Sequence, residues 1–384
     1  MVEKKKFLIL YDWFYPGFRA GGPIQSLTNL VLVLIPYFDI FVITGAKDLN
    51  SSVPYDHVDL NSWNNIFLPG SSYSIKVFYA EKKTLNTDLL HRFFEEIQPS
   101  SVYLNGIFSY RFFLLPLFAL KKNKAGLKLV VCPRGMLKRG ALSGKAFKKK
   151  AYINFLKLFG FLRNVYWHAT SLDELADIKK HFSISKGSLV APNIPKKPYP
   201  DVSFINKEVG ELKLVYLSLI NEHKNLLLLL EMIFKSESGV SLDIYGPVVD
   251  EVYWQKCSDL IEQIPDKVHY KGVVEPHRVQ SVLSQYHAFI LFTKGENFGH
   301  AIYEALSVGR PVITSHFTPW QMLDESKAGA NVDFQNHHKT IEKINGFATL
   351  GQEDYNIFCT SALYMATDYY QKIEAGKKYI QFFT

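Results

Sequence analysis

The segment from Ala288 to Thr314 constrains the fold of this chain more than any other stretch. Its first five residues are all apolar and predict a short buried strand, while Ala301 to Ser307 predicts a helix that ends before a Gly-x-Pro sequence. A second strand is predicted directly afterwards. This order is typical of an open parallel α/β sheet, in which ligands bind beyond the carboxyl ends of the strands. The loop from Glu296 to Gly299 is therefore predicted to face a ligand.

Two carboxylates flank the predicted start of this helix. Glu296 lies in the loop, and Glu304 follows eight positions later on the helix. Helical side chains lean towards the N-terminus, so the Glu304 carboxylate is expected to reach back to the loop. The helix start also offers unpaired N–H groups and a partial positive charge, which suit a phosphate. The alternative is a solvated helix on which two acidic residues occur by chance.

The residues around the two carboxylates resemble a known family. Glu296 precedes Asn-Phe-Gly, and Glu304 precedes Ala-Leu-x-x-Gly-x-Pro-Val-Ile. This pattern resembles the E-x7-E signature of retaining glycosyltransferases with the GT-B fold, of the glycosyltransferase family 4 (group 1) type. The resemblance extends over most of the chain and is strongest from Leu212 to Trp320. It implies that Glu296 contacts the donor sugar and that Glu304 holds the ribose hydroxyls of a nucleotide-sugar donor.

The resemblance implies an α/β fold with two facing Rossmann-like domains, an inter-domain cleft and a C-terminal helix that crosses back to the first domain. Strand and helix patterns alternate in both halves of the sequence, and a stretch rich in proline and charge follows residue 195. We therefore expect an acceptor-side domain over 1–195, together with 365–384, and a nucleotide-sugar-binding domain over 196–364. The final helix is predicted from Asp354 to Phe382.

Further donor contacts are expected at three strand ends. Gly21 and Gly22 lie between a predicted strand and a helix, where missing side chains let backbone amides approach a ligand, although a plain tight turn has the same sequence. In the second half, the resemblance implies that a Lys binds the donor diphosphate, and Lys224-Asn225 occupies that place. It also implies an Arg five residues earlier, where this chain has Leu219. The remaining expected donor contacts are Phe298, Gly299 and His300.

Arg134 is the acceptor-side candidate of the first half. It follows a predicted strand in Pro133-Arg134-Gly135-Met136, near the place where many relatives carry a His. Arginine does not act as a general base, because it stays protonated, but it can hold a phosphate or a carboxylate. A simple surface role is the alternative.

Charge is distributed unevenly along the chain. The net charge is +8, yet no Asp or Glu occurs from Ile97 to Leu172, which leaves 30 basic and 36 acidic residues elsewhere. An anionic partner, such as a membrane surface, is therefore expected for the first half.

Lys145 to Leu162 also carries an apolar stripe at helical spacing, which we interpret as a core-facing stripe beside solvated lysines rather than a membrane-binding face. The stripe consists of Phe147, Ala151, Phe155, Leu158, Phe159 and Leu162. The basic residues of the acid-free stretch are Arg111, Lys121, Lys122, Lys124, Lys128, Arg134, Lys138, Arg139, Lys145, Lys148, Lys149, Lys150, Lys157 and Arg163.

Several classes of site and protein are not expected. Three cysteines, far apart and without metal spacing, indicate a reducing compartment, and no apolar run reaches the roughly 20 residues of a spanning helix. No metal or other cofactor is implied, and nucleic-acid binding would rest on charge alone. A cytoplasmic protein, peripheral on the cytoplasmic face of a membrane, is expected.

The sequence thus predicts a glycosyltransferase that moves a sugar from a nucleotide diphosphate donor to a glycan or lipid-linked acceptor, with retention, in polysaccharide or glycolipid synthesis. Lys224, Glu296 and Arg134 are the expected catalytic residues. Two alternatives stay open: a sugar-nucleotide epimerase of the GT-B fold, which needs no second substrate, and a non-catalytic membrane-associated binding protein.

Overall fold

The chain divides into two compact units. The computed structural model describes residues 4–120, 126–143, 146–237 and 239–384. The first unit comprises Met1–Ile194 and Glu374–Thr384, and the second comprises Pro195–Ile373. The division falls one residue before the boundary expected from the sequence, and residues 365–373 cluster with the second unit instead of the first.

An eight-stranded sheet forms the centre of the first unit. Its strand order is β3-β4-β2-β1-β5-β6-β7-β8, and every neighbouring pair is parallel except β3 with β4. The strands are β1 Lys5–Leu10, β2 Phe38–Gly45, β3 Trp63–Phe67, β4 Ser74–Ala80, β5 Ser101–Asn105, β6 Lys128–Cys132, β7 Tyr166–Ala169 and β8 Ser188–Val190.

Helices connect these strands. The α-helices are α1 Gly22–Leu34, α2 Thr87–Ile97, α3 Leu115–Ala119, α4 Arg139–Ser143, α5 Ala146–Leu158 and α6 Leu172–His181, and a short π-helical turn, Tyr110–Leu114, precedes α3. The apolar faces of α2, α3 and α5 pack with β1, β5 and β6 in one buried cluster. The Ser171 side chain caps α6 by accepting a hydrogen bond from Glu174 N at 3.1 Å.

A six-stranded, fully parallel sheet forms the second unit. Its order, β11-β10-β9-β12-β13-β14, is the doubly wound order 3-2-1-4-5-6. The strands are β9 Leu212–Leu217, β10 Val240–Tyr245, β11 Val268–Gly272, β12 Ala288–Leu291, β13 Val312–Ser315 and β14 Gly329–Val332. The helices are α7 Leu226–Lys235, after a 3-10 turn Glu222–Lys224, and α8 Glu251–Ile261, α9 Val279–Leu283, α10 His300–Leu306, α11 His337–Ala348 and α12 Gln352–Lys372. The predicted α/β class with two mainly parallel sheets is confirmed.

The C-terminal segment differs from the single helix expected there. The helix α12 ends at Lys372, and a separate helix α13, Ala375–Phe383, follows. Between them Glu374 has a left-handed backbone, with φ 38°, which a right-handed helix does not tolerate. The two helices belong to different units, so the chain passes from the second unit back to the first at this break.

Most of the apolar stripe of α5 is exposed, so the core-facing interpretation is wrong for that part, whereas Leu162 and Phe155 do pack on the buried cluster. Phe147 is 86% exposed, Leu158 79% and Phe159 55%, while Ile153 and Leu156 are buried instead. The period of a helix fixes which residues share a face, but it does not say which of two apolar faces packs on the sheet. Lys121, Lys122, Lys124 and Lys145 lie outside the described residues.

Candidate functional site

The candidate site of the second unit lies at the carboxyl ends of β9 and β12. The strand order reverses between these two neighbours, and in doubly wound sheets this switch point opens a crevice for the ligand. The loop after β9 carries Lys224, and the loop after β12 carries Glu296. The topology therefore brings together two residues that are 72 positions apart in the sequence.

Lys224 and Glu296 form an ion pair across the switch point. The Lys224 ammonium contacts the Glu296 carboxylate, and the two side chains are only 15% and 13% exposed. Hydrogen bonds hold the two loops beside them. His223 Nε2 donates to the Gly295 carbonyl at 2.8 Å, and Lys294 N donates to the His223 carbonyl at 2.9 Å. These bonds join the loops that carry the two charged groups.

Glu304 forms a second carboxylate–lysine pair on α10. Its side chain is 5% exposed and lies 3.1 Å from the ammonium of Lys196. Lys196 is held in place by two further contacts: its ammonium donates to the Pro276 carbonyl at 2.8 Å, and its own carbonyl accepts the Tyr303 hydroxyl at 2.9 Å. A nearly buried carboxylate is stable as an anion only with such partners.

The loop between the two carboxylates turns sharply at Gly299. This residue has φ 79° and ψ 62°, and an added Cβ would lie 3.1 Å from Ile302 and 3.4 Å from the Trp320 indole nitrogen. That nitrogen donates to the Phe298 carbonyl at 2.6 Å. The Phe298 ring is buried and packs against the rings of Tyr303, Trp320 and Tyr369, so it anchors the loop to the core of the second unit. His300, half-buried, begins α10 and packs against the Phe298 ring.

Asn225 and Leu219 complete the loop after β9. Asn225 has a left-handed backbone, with φ 56°, and its buried amide nitrogen has no hydrogen-bond partner among the described residues. An unpaired buried donor is costly, which is consistent with a group that pairs with a ligand. Leu219 is half-buried and contributes only its carbonyl, which accepts the Tyr216 hydroxyl at 3.3 Å.

Gly21 and Gly22 lie at the N-terminus of α1, after β1 of the first unit. Gly21 has φ 70°, a conformation that favours glycine, and both glycines are half-buried. The loop before them is anchored by Asp48, whose carboxylate accepts hydrogen bonds from Phe18 N at 2.8 Å and Arg19 N at 3.0 Å. The prediction that these glycines face the donor stays a prediction.

Arg134 is engaged inside the first unit. It has a left-handed backbone, with φ 56°, and its guanidinium donates to Asn105 Oδ1 at 2.8 and 3.0 Å, to Asn193 Oδ1 at 2.7 Å and to the Tyr103 hydroxyl at 3.3 Å. The next amide, Gly135 N, donates to the buried Glu174 carboxylate at 2.5 Å. These contacts fix the loop after β6. They occupy most of the donors that Arg134 would offer to an acceptor.

A buried histidine continues this network. The Tyr103 hydroxyl donates to His168 Nδ1 at 2.7 Å, and His168 Nε2 donates to the Ala191 carbonyl at 2.8 Å. Burial, together with the nearby charge of Arg134, lowers the pKa of His168 to about 3. The Tyr379 hydroxyl of α13 lies 3.0 Å from the same nitrogen. His168 is therefore neutral at physiological pH.

The structure brings together Glu296 with Lys224, and places Glu304, Asn225, Gly299 and His300 in the same unit around the switch point. Gly21, Gly22 and Arg134 lie in the other unit. Sequence reasoning missed Lys196, the partner of Glu304, because it lies in a proline-rich stretch with no periodicity. It also missed that Asn105 and Asn193 hold Arg134, since no sequence pattern links residues so far apart.

Metal sites and membrane-spanning helices are both absent from the described ranges. Among these residues no group of three or more His, Cys, Asp or Glu side chains could hold a metal ion. Within the same ranges no helix is long and apolar enough to span a bilayer.

Comparison with known proteins defines the class of the second unit. Residues 201–357 match the family Glycosyl transferases group 1, and this range covers most of that unit. The match to this family therefore lies within the second unit. No curated protein matches the chain by sequence.

Solved structures define the fold of the whole chain as GT-B. Sucrose-phosphate synthase from Thermosynechococcus elongatus superposes with a TM-score of 0.75 at 15% identity, covering 99% of each chain. HepE of Anabaena, solved with UDP and glucose, has a TM-score of 0.71 at 13% identity and covers 98% of this chain and 99% of its own. TarM of S. aureus, solved with UDP and alpha-GlcNAc-glycerol, has a TM-score of 0.60 at 16% identity over 78% of this chain, which spans 59% of the length of TarM.

Proposed function

We propose that this chain is a retaining hexosyltransferase that moves a sugar from a nucleoside diphosphate donor to a glycan or lipid-linked acceptor. The observation that carries the proposal is the pair of carboxylate–lysine contacts, Glu296 with Lys224 and Glu304 with Lys196, at the switch point of a glycosyltransferase group 1 domain. Support for the donor class comes from HepE, solved with UDP-glucose, and from TarM, solved with UDP.

Lys224 has the chemistry required to assist departure of the donor diphosphate. The leaving diphosphate gains negative charge as the bond to the sugar breaks, and a positioned ammonium stabilises that charge. Without donor, the same ammonium is paired with Glu296. Donor binding would let Lys224 exchange the carboxylate for phosphate oxygens, and the released Glu296 carboxylate could accept hydrogen bonds from the sugar hydroxyls. This exchange would align the anomeric carbon for the acceptor.

Glu304 would bind the ribose of the donor. Its carboxylate is nearly buried and is oriented by Lys196, so little freedom remains to be lost when two hydroxyls bind. Asn225, with its unpaired amide nitrogen, would add a hydrogen bond to the same ligand. Retention of anomeric configuration is proposed from the resemblance to retaining enzymes, and no side chain is assigned as a nucleophile. No metal or other cofactor is proposed.

Replacing the two carboxylates separately tests the proposal. Glu304→Ala should lower the affinity for the nucleoside diphosphate at least 100-fold by calorimetry, because two charge-assisted hydrogen bonds of about 1.5–3 kcal/mol each are lost. Glu296→Ala should leave that affinity nearly unchanged while it lowers turnover and weakens discrimination between donor sugars. Glu342→Ala, an exposed carboxylate of α11, is the matched control. Wild-type nucleotide binding by both site variants would overturn the assignment.

Incubation with donor alone separates transfer from epimerisation. A transferase leaves the sugar unchanged without acceptor, apart from slow hydrolysis. An isomerised sugar would instead establish the epimerase alternative. Nucleotide binding with no turnover across a broad set of acceptors would favour the non-catalytic alternative.

The same proposal places the chain on the cytoplasmic face of a membrane. The supporting observations are the acid-free basic stretch of the first unit and three free, buried cysteines. A lipid-linked acceptor would be reached most readily by an enzyme held at that surface.

A further inference from the structure

Helix α5 carries an exposed apolar face that is bordered by lysines on both sides. Phe147, Ala151, Asn154 and Leu158 recur at spacings of four, three and four residues, so they share one side of the helix. All four are exposed, whereas Ile153 and Leu156 pack inward. A shallow groove continues along this side and is lined by Ala151, Asn154, Phe155, Lys157, Leu158 and Phe159.

Lysine side chains lie on both flanks of this exposed face. At 100° per residue, Lys148 lies on one flank, and Lys150 and Lys157 lie on the other. All three are exposed. Lys149 differs from them, because its ammonium donates to the Ala141 carbonyl at 2.6 Å and lies over the Phe108 ring. Lys149 is thus structural, and the flanking cations are the other three.

We propose that the exposed face of α5 inserts into an anionic lipid bilayer, with Phe147 and Leu158 among the acyl chains and Lys148, Lys150 and Lys157 against the phosphates. An apolar stripe between cationic flanks is the arrangement of helices that lie in a membrane interface. The inference deepens the proposed membrane attachment by adding an apolar component to it, and it does not depend on the transfer activity.

Charge favours a bilayer over a protein as the occupant of this face. A protein partner for an exposed Phe–Leu patch requires acceptors for the surrounding cations at fixed positions, whereas an anionic lipid surface supplies them everywhere. The whole stretch from Ile97 to Leu172 lacks any carboxylate that an anionic surface would repel. A second copy of the chain would instead bring two basic surfaces together, because a two-fold interface uses the same patch of both copies.

Site-specific labelling tests insertion directly. The three native cysteines are buried, and burial raises the pKa of Cys132 to about 11 and of Cys257 to about 12, so a new surface cysteine can be labelled selectively. Phe147→Cys and Leu158→Cys, carrying an environment-sensitive fluorophore, should shift to the blue with vesicles of phosphatidylcholine and phosphatidylglycerol. Val252→Cys, equally exposed on α8, should not shift. No shift at 147 and 158 would overturn insertion.

Sedimentation with the same vesicles separates the apolar and the ionic components. The double variant Phe147→Ser/Leu158→Ser should partition about 100-fold more weakly, since each large apolar side chain is worth roughly tenfold, and it should lose the binding that survives high salt. The control double variant Val209→Ser/Val252→Ser should bind as wild type does. The triple variant Lys148→Gln/Lys150→Gln/Lys157→Gln should lose the preference for phosphatidylglycerol, by about 100-fold.

Three results would contradict the inference. They are wild-type sedimentation of the double serine variant, equal sedimentation of the wild type with neutral and anionic vesicles, and a concentration-dependent dimer that Leu158→Ser abolishes. Nucleotide affinity is measured on every variant. If the wild type binds the nucleotide but not the vesicles, the insertion is refuted and the proposed function is not. If the wild type does not bind the nucleotide, the proposed function is refuted.

Discussion

At the scale of single residues, the two lysines that pair with Glu296 and Glu304 have different surroundings. The Lys196 ammonium contacts the Pro276 carbonyl as well as Glu304, while the Lys224 ammonium contacts the Glu296 carboxylate. A lysine that is anchored elsewhere keeps a carboxylate in place. A lysine whose partner is also a ligand-binding group can be drawn to a phosphate. We therefore infer that Glu304 is the fixed element of the site and that Lys224 and Glu296 rearrange.

Leu219 stands where the resemblance to related transferases implies an arginine, and adding that cation should accelerate the reaction. The His223 ring, four residues further along the chain, donates a hydrogen bond to the Gly295 carbonyl. Leu219→Arg should therefore raise kcat about tenfold with the same donor, because one charge-assisted hydrogen bond contributes roughly 1.5–3 kcal/mol. Leu219→Met keeps the size without the charge and should leave kcat unchanged. A neutral or harmful effect of the arginine would mean that another group already binds the phosphate.

His168 should make stability depend on pH. Its folded pKa is about 3, below the ordinary value near 6.5, so between these limits the unfolded chain binds a proton that the folded chain does not. Stability is therefore lost as the pH falls from 6.5, by about 3 kcal/mol at pH 4.5 from this residue alone. His168→Gln should show a slope smaller by about 1.4 kcal/mol per pH unit in urea unfolding. Parallel slopes would show that His168 is protonated in the folded state.

At the scale of elements, helix α13 completes the first unit. Phe383 packs against Phe7 with ring centroids 4.5 Å apart, and the Tyr379 hydroxyl lies 3.2 Å from the Pro192 carbonyl and 3.3 Å from the Ala191 carbonyl. Both rings are almost fully buried. Helix α13 thus contributes buried side chains to the same core as strand β1.

Removing the Tyr379 hydroxyl should measure how firmly α13 is held. Tyr379→Phe keeps the ring but leaves the Ala191 and Pro192 carbonyls without this donor, so we expect a loss of about 1–2 kcal/mol in urea unfolding with an unchanged m value. Tyr364→Phe is the control, because Tyr364 on α12 is 72% exposed. Equal midpoints for both variants would show that the hydroxyl contributes nothing to holding the helix.

The strands at the centre of both sheets could be predicted from the sequence, whereas peripheral elements could not. The strands β1, β9 and β12 each contain four consecutive apolar residues, a pattern typical of buried strands. Strand β8 has three residues and β14 is Gly-Ala-Asn-Val, so neither carries enough apolar pattern to be recognised. The break before α13 depends on one left-handed residue, Glu374, which helix propensity does not reveal.

The candidate site, too, could be predicted only in part from the sequence. The position of Glu296 in a loop beyond the carboxyl end of a parallel strand could be predicted, because the α/β pattern places that loop, while the roles of the two carboxylates stay predictions. The contacts that each charged side chain makes could not be predicted. The pairing of Glu304 with Lys196 and the engagement of Arg134 by Asn105 and Asn193 depend on tertiary contacts between segments that no local signal connects. The same reason explains why α5 was assigned the wrong buried face.

At the scale of the whole molecule, each unit has its own buried cluster, and basic charge is concentrated in the first. One cluster is built around β9 and β12, and the other around β1 and β5. A third of the Lys and Arg residues lie between Ile97 and Leu172, without any acidic residue among them. Donor chemistry is thus expected in one unit and attachment to an anionic surface in the other, so the two properties should respond to different variants.

Donor binding should therefore leave a regional pattern in hydrogen exchange. A nucleoside diphosphate at 100 times its Kd adds about 2.7 kcal/mol to the folded state. We expect added protection in the second unit, strongest over residues 221–225 and 293–304, and in the first unit only in the loop before α1 that contains Gly21 and Gly22. Glu304→Ala should show neither change. Protection confined to the second unit would remove the two glycines from the donor site.

The return of residues 374–384 to the first unit has a consequence for synthesis of the chain on the ribosome. When the first 194 residues have been made, the helix that covers Phe7 does not yet exist, and 190 further residues must be translated before it does. At 5–20 residues per second this takes roughly 10 to 40 s. During that interval the nascent first unit exposes part of its own core, whereas the second unit lacks nothing once Ile373 has emerged. The unit encoded second can therefore finish folding before the unit encoded first, and chaperone demand should be concentrated on the earlier segment.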